Sequence, residues 1–199
     1  MQQQNLLIMG FKRLADIVFS MLALLLLWPL LILIALVIWL DTGGPILFLQ
    51  ERIGQGGHPF RIIKFRTMTV DAESQGPQLS FPEDKRQTRV GSFLRRFRLD
   101  ELPQFINILK GEMSLVGPRP ERRYFIEQIS QSTPDYPTLL QMRPGLTSWG
   151  QVRFGYASNI EQIAERMQYD LYYVRNFSIQ FDLKIILHTI RIVFSGKGV

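Results

Sequence analysis

Residues 17–40 read IVFSMLALLLLWPLLILIALVIWL, 24 residues without a charge. A run of that length and composition marks a membrane segment. As a straight helix it measures about 36 Å, enough to cross a hydrocarbon layer of about 30 Å. It is too long for a secretory signal, and no small-residue cleavage site follows it. Pro29 stands at its centre. A proline there removes one backbone hydrogen bond and crowds the preceding turn, giving two arms of about 18 Å that each reach mid-bilayer. Two topologies are therefore open: a kinked spanning helix, or a re-entrant helix that enters and returns on one side. Lys12 and Arg13 precede the run, and Arg52, Arg61, Lys64 and Arg66 follow it. Cationic flanks mark the cytoplasmic face, and here both flanks are cationic, which favours re-entry.

Past Asp41 the chain turns soluble in character. Its 199 residues are enough for one domain with a sizeable core, and the formal charge of +6 points to an anionic partner: nucleic acid, a phosphorylated ligand or acidic lipid. The absence of cysteine excludes thiol catalysis, disulfides and cysteine-ligated metal. His58 and His188 are the only histidines, and neither has the company that a zinc site or a Ser-His-Asp triad needs.

The soluble part reads as short elements. TGGP and GQGGHP are turns, and residues 60–68 form a strand or extended segment. Residues 73–88 are a polar loop. Residues 89–99 make a short basic amphipathic helix, and residues 102–111 a helix with proline in its first turn and glycine as its stop. MSLVGPRPE is extended and then turns, residues 124–131 are helical, and MRPGLTSWGQV is a loop leading to a short strand. Two helices close the chain, one over 159–176 with Asn159 as its cap and one over 181–195. The closing helices either pack in a core or lie in a membrane interface, where their basic residues meet anionic lipid.

Four charged clusters carry candidate chemistry: KFRTM with Lys64 and Arg66, LRRFR with Arg95, Arg96 and Arg98, the adjacent pair Asp100 and Glu101, and GPRP with Arg119. Lys64 and Arg66 share a strand face by period two. Arg119 sits between Pro118 and Pro120, which present its guanidinium rigidly for bidentate phosphate contact, unless it only satisfies carbonyls near a turn. Asp100 and Glu101 either stabilise the N-terminus of the following helix or act chemically. As chemistry, a carboxylate pair recruits Mg²⁺, and one carboxylate can attack phosphorus. The glycine-rich turns match no Walker loop or dinucleotide fingerprint. An anchor, phosphate-suited cations and an acidic pair suggest chemistry on a lipid phosphate or nucleotide at a membrane surface.

These residues carry a resemblance. FKRLADIVFS, the apolar run with its proline, GGPILFLQERIGQGGHPFRIIKFRTM, TRVGSFLRRFRLDELPQFINILKGEMSLVGPRPE and RPGLTSWGQV occur in the order found in the monotopic bacterial phosphoglycosyl transferases, also called the bacterial sugar transferase family. The chain resembles that family over nearly its whole length. The resemblance implies transfer of a sugar 1-phosphate from a UDP-sugar to polyprenyl (undecaprenyl) phosphate, with release of UMP, priming exopolysaccharide, O-antigen or related glycan assembly. It puts the catalytic dyad on Asp100, the nucleophile that forms a covalent phosphosugar, and Glu101, with Mg²⁺ as cofactor held by both. Lys64, Arg66, Arg95, Pro118, Arg119 and Gln151 fall at its substrate-binding positions, and Pro29 at its re-entrant kink.

The resulting expectation is an α+β, mostly helical fold. Residues 1–41 form a membrane-embedded re-entrant hairpin and residues 42–199 a cytoplasmic catalytic domain with interfacial amphipathic helices, at the bacterial inner membrane. The tail resembles the exopolysaccharide and hexose-1-phosphate branch, so the transferred sugar is expected to be a hexose, glucose or galactose. That branch often has extra membrane helices before the catalytic part, so the chain is either a compact form or a piece of a longer enzyme. In RPGLTSWGQV, many relatives have glycine after the threonine. Membrane lipid is an expected partner, and a homodimer is left open. The competing readings are an inactive membrane scaffold of a glycan assembly complex and a nucleic-acid binder. The intact DELPQ, GPRP and KFRTM argue against the first. The lack of groove-reading or stacking motifs argues against the second, so no nucleic acid is expected.

Overall fold

The computed structural model describes residues 2–74, 76–81 and 84–196. In it the apolar run belongs to one helix, α1 (Gln2–Thr42), that continues through Pro29. Its apolar stretch has a mean hydropathy of 3.0 and is only 11% buried, long and apolar enough to cross a membrane.

Both ends of α1 are fastened to the same body. Near its start, Lys12 pairs with Asp182, Arg13 donates to the carbonyls of Ile108 and Leu109, and Asp16 accepts the Leu115 N–H at 3.0 Å. At its end, Arg66 donates to the carbonyls of Thr42 and Gly43, at 3.2 and 2.8 Å. Between these points one stripe of α1 completes the domain's core. Ala23, Leu24 and Leu27 pack on Phe60, Ile62, Phe105, Ile108 and Met113. Leu30, Leu31, Ile34 and Ile38 pack with Phe65, Leu94, Leu99 and Leu102. Ile34 and Ile38 are buried, each stabilising the docking by roughly 1.5–3 kcal/mol.

After α1 comes an antiparallel hairpin, β1 (Leu47–Ile53) and β2 (Pro59–Phe65), with Phe48 opposite Lys64 and Arg52 opposite Phe60. Then follow α2 (Arg89–Arg96), a 3₁₀ turn (Leu99–Glu101), α3 (Gln104–Lys110) and β3 (Ser114–Val116). Two helices, α4 (Arg123–Ser132) and α5 (Tyr136–Leu139), lead to β4 (Gly145–Thr147), which pairs in parallel with β3. The chain ends in α6 (Trp149–Arg153), α7 (Ile160–Arg175) and α8 (Ile179–Phe194). The β3–β4 crossing brings GPRP against RPG: a Cβ on Gly117 would lie 2.2 Å from the Arg143 carbonyl oxygen, and one on Gly145 would lie 2.2 Å from the Gly117 nitrogen. Only glycine allows that approach. α4, α5 and α7 share a core of Phe125, Ile129, Tyr136, Leu139, Ile163, Met167 and Leu171.

The mostly helical α+β class holds, with several local corrections. The strand expected over 60–68 ends at Phe65, where Arg66 turns to α1. The helix expected to Leu99 stops at Arg96, because Arg98 adopts a left-handed conformation. The helix expected from Leu102 starts at Gln104, after Pro103, and ends at Gly111 (φ +88°) as read. The order expected for MRPGLTSWGQV is reversed: the strand comes first, and Ser148 accepts the Gln151 N–H at 3.0 Å to start α6. Ser178 caps α8 two residues before the expected start. Gln75, Pro82 and Glu83 of the expected loop, Met1, and residues 197–199 lie outside the described residues. On α8, Ile185 is buried while Leu183, Leu187, Ile190 and Phe194 form an exposed stripe at spacings of four, three and four.

Candidate active site

A cleft of about 290 Å³ opens between the β1–β2 hairpin, the turn after α2 and the segment after α6. Asp100 and Glu101 lie at its base, nearly buried at 6% and 9% exposure. Arg98, at φ +54° and ψ +24°, is the one non-glycine residue with positive φ among the described residues. That conformation is disfavoured for a side-chain-bearing residue, and it swings the chain from α2 into the 3₁₀ turn. Leu99 and Leu102 bracket the dyad and sink into the cluster with Leu30, Leu31, Ile34 and Ile38. The apolar pair faces α1, so the acidic pair between them faces the cleft. Neither carboxylate caps α3 by a hydrogen bond: its N-terminus has no side-chain cap bond.

The two carboxylates have different surroundings. Glu101 accepts from Lys64 Nζ at 2.7 Å, with Arg98 at 3.6 Å and Arg119 at 3.9 Å. Burial alone would raise its carboxyl, but Lys64, Arg98 and Arg119 together outweigh burial and hold it far below the ordinary carboxylate range. Asp100 has no hydrogen-bond or ion-pair partner among the described residues. Burial pushes its carboxyl up. Lys64, Arg95 and Arg98 oppose that rise, and the neighbouring Glu101 charge adds to it. One carboxylate is thus ionised and clamped, and the other is left free to meet a ligand.

Lys64, Arg66, Arg95, Arg119 and Gln151 all line the cleft. Pro118 does not; its carbonyl instead accepts the Gly145 N–H at 2.9 Å, so it positions Arg119 from behind. Arg66 is 5% exposed and turns Nη2 to the end of α1, while its Nε and Nη1 have no partner. Among the described residues Arg95 hydrogen-bonds only neutral groups, the Ser80 hydroxyl at 2.6 Å and the Tyr156 hydroxyl at 3.3 Å. Gln151 directs a buried Oε1 without a partner.

Sequence reasoning missed the second tier. Asp170, in the middle of α7, accepts the Gly150 N–H at 2.7 Å and the Arg119 N–H at 3.1 Å. Its carboxyl is raised by burial, partly offset by those two hydrogen bonds. Glu121 pairs with Arg166 and, at 3.5 Å, with Arg52, whose burial brings its guanidinium down to about 10. Tyr156 completes one wall. The loop after β2 is bound in by Arg86, which pairs with Asp84 and donates to the carbonyls of Ala72 and Leu79, and by Glu73 on Arg122 at 2.7 Å. Arg98 had been legible as part of LRRFR but not as the pivot of the dyad.

Among the described residues, nine Lys and Arg side chains and four Asp and Glu side chains line the cleft. That excess suits a ligand with several phosphate charges. A dedicated metal cage is not formed: no three His, Cys, Asp or Glu side chains gather among the described residues. The donors do fit Mg²⁺, which takes one or two carboxylates and completes its shell with substrate phosphates. Asp100 has free oxygens for it, whereas the Glu101 oxygens already face three cations.

A model of the bacterial sugar transferase family matches residues 7–196. The chain is 44% identical over 187 residues to a UDP-N-acetylgalactosamine-undecaprenyl-phosphate N-acetylgalactosaminephosphotransferase of Aeromonas hydrophila, covering 94% of this chain and 44% of that protein. It is 42% identical over 189 residues to a UDP-glucose:undecaprenyl-phosphate glucose-1-phosphate transferase of Escherichia coli strain K12, covering 94% and 41%. It is 41% identical over 194 residues to the exopolysaccharide production protein PSS of Rhizobium leguminosarum bv. phaseoli, covering 94% and 97%. The chain thus spans less than half the length of the first two relatives and nearly all of the third.

Proposed function

Because the chain belongs to the bacterial sugar transferase family, we propose that it moves a hexose 1-phosphate from a UDP-sugar to undecaprenyl phosphate, releasing UMP. The product, a polyprenyl diphosphate sugar, initiates an exopolysaccharide, O-antigen or related glycan. The observation that carries this reading is the unpartnered Asp100 carboxylate beside a clamped Glu101, in a cationic cleft built against α1.

Asp100 attacks the sugar-bearing phosphorus of the donor. The bond from that phosphorus to the bridging oxygen breaks, its electron pair leaves with UMP, and the aspartate carries the sugar phosphate. An oxygen of the lipid phosphate then attacks the same phosphorus, and the bond to Asp100 breaks to restore the carboxylate. Glu101, kept ionised by Lys64, Arg98 and Arg119, is too weak a base to take a proton and instead fixes those three cations beside the phosphates, while the lipid phosphate attacks as its anion. Arg119 clamps phosphate oxygens, held in place by its backbone bond to Asp170. Lys64, Arg66, Arg95 and Gln151 line the substrate's berth. Asp100, whose oxygens are free, would be the main holder of Mg²⁺, with Glu101 beside it, and the metal would supply charge neutralisation on the diphosphate when bound.

The docking of α1 supports the re-entrant reading. A spanning helix carries one end about 30 Å away from a domain on the other side; here Lys12 and Thr42, near opposite ends, both hold the catalytic body. Docking at both ends supports a domain on one side of the membrane; the cationic flanks of the apolar run favour the cytoplasmic face of the bacterial inner membrane, and the exposed α8 stripe suits the interface.

The test is UMP release from a panel that includes UDP-glucose, UDP-galactose and UDP-N-acetylgalactosamine, with undecaprenyl phosphate and Mg²⁺ in lipid discs. Lipid-dependent release with one sugar supports the reaction and names the substrate. Folded protein that releases UMP from none of them refutes it.

A further inference from the structure

On β1, Leu47, Phe48, Gln50 and Arg52 line the cleft, apolar at one end and charged at the other. The apolar end is the one nearest α1. Phe48 lies directly opposite Lys64 in the ladder, and directly opposed side chains share a face. Lys64 holds Glu101, so Phe48 is a neighbour of the dyad. Arg66, two residues beyond Lys64, closes on the last carbonyls of α1. The end of the membrane helix is therefore set at the same mouth of the cleft.

That mouth is apolar and uncovered. Phe48 and Leu47 are 41% and 44% exposed and line the cleft with Pro45. Beyond them the last turns of α1 present Trp39 and Leu40 outward, at 56% and 68%. An aromatic ring and a leucine in water beside a cationic site are unfavourable unless a ligand covers them. The other walls carry Arg95, Arg119 and Tyr156 together with apolar Val70, Leu79, Phe125 and Ile163, but none of these belongs to the segment that leads from the cleft back to α1.

Resting on the proposed transfer to a lipid phosphate, we infer that the hydrocarbon chain of the acceptor leaves the cleft over Phe48 and runs along Pro45 and Leu47 to the C-terminal end of α1. The phosphate head lies at Lys64 and Asp100, and the chain enters the bilayer beside Trp39 and Leu40. The gradient along β1 matches one amphiphile, head inward and tail toward the membrane, and the apolar surface is continuous with that of α1.

Kinetics of Phe48→Gln and Leu47→Gln test this with two acceptors, undecaprenyl phosphate and a ten-carbon prenyl phosphate. Both substitutions are on exposed positions, and an unchanged thermal midpoint checks folding. The expected result is a rise of about tenfold in apparent KM for undecaprenyl phosphate, the loss of one ring's apolar cover. The short acceptor shifts less than about threefold, as does the KM for the UDP-sugar in the UMP-forming step. An equal loss with both acceptors, a loss confined to the UDP-sugar step, or no change overturns the path. Crosslinking with a photoactivatable prenyl phosphate reads the same path without turnover. Label within residues 45–48 supports it, and label elsewhere overturns it, even in a protein that releases no UMP.

Discussion

Asp170 accepts the backbone N–H of Arg119 at 3.1 Å with one carboxylate oxygen and that of Gly150 at 2.7 Å with the other. A residue on α7 thereby fixes both the loop that carries Arg119 and the start of α6. Asp170→Ala is expected to lower kcat by about ten- to a hundredfold, since small misplacements of a positioning group cost that much. Asp170→Asn keeps one acceptor oxygen and is expected to recover part of the loss. Steady-state kinetics separate this from instability: a variant with a normal kcat but a lower melting point would make Asp170 merely structural.

Asp100→Asn is expected to abolish transfer while raising stability. Burial raises the folded carboxyl above its unfolded value, so the folded state binds the proton more tightly, and stability falls as pH rises between those two values. At neutral pH the charge is destabilising, and the amide removes it. The thermal midpoint of Asp100→Asn is expected to exceed that of the parent at pH 7, with the gap closing below the ordinary aspartate range. A parent that is the more stable of the two at pH 7 contradicts the assigned environment.

Lys64 and Glu101 are expected to couple. Lys64→Met leaves the Glu101 charge facing Arg98 and Arg119 alone, whereas Lys64→Met in a Glu101→Gln background loses much less. A double-mutant cycle in denaturant is expected to return a coupling of about 1–3 kcal/mol. Additivity within about 0.3 kcal/mol shows that the pair contributes nothing as a pair.

The lack of native cysteine makes topology directly measurable. Single cysteines at Gly10 and Asp41, both exposed near opposite ends of α1, are expected to react with an impermeant maleimide from the same face of sealed vesicles. Labelling from opposite faces means that α1 spans, and that its docking at both ends does not occur in the membrane.

The apolar run, the acidic pair and both closing helices were legible because each is written in contiguous residues: an uncharged stretch, a dipeptide, a cap at Asn159, and apolar residues at helical spacing, although the Ser178 cap went unread. The unread elements depend on distant partners. β3 and β4 are three residues each and exist only through pairing across the sequence between them. β1 carries exposed Leu47, Phe48 and Leu49 beside Gln50, Glu51 and Arg52, so it lacks the clean alternation of a half-buried strand. Asp170 reads as one more carboxylate on a mixed helix, and only the fold shows that its two acceptors are Gly150 and Arg119. Arg66 reads as a free cation, and only the return of α1 reveals that half its guanidinium is occupied.

Leu99 and Leu102, on either side of the dyad, rest on Leu30, Leu31, Ile34 and Ile38. The catalytic body thus borrows part of its interior from the membrane segment. Cutting the chain at residue 42 would not release a self-standing domain; it would strip the floor from beneath Asp100 and Glu101. Anchor and cleft are for this reason one folding unit rather than two modules joined by a linker.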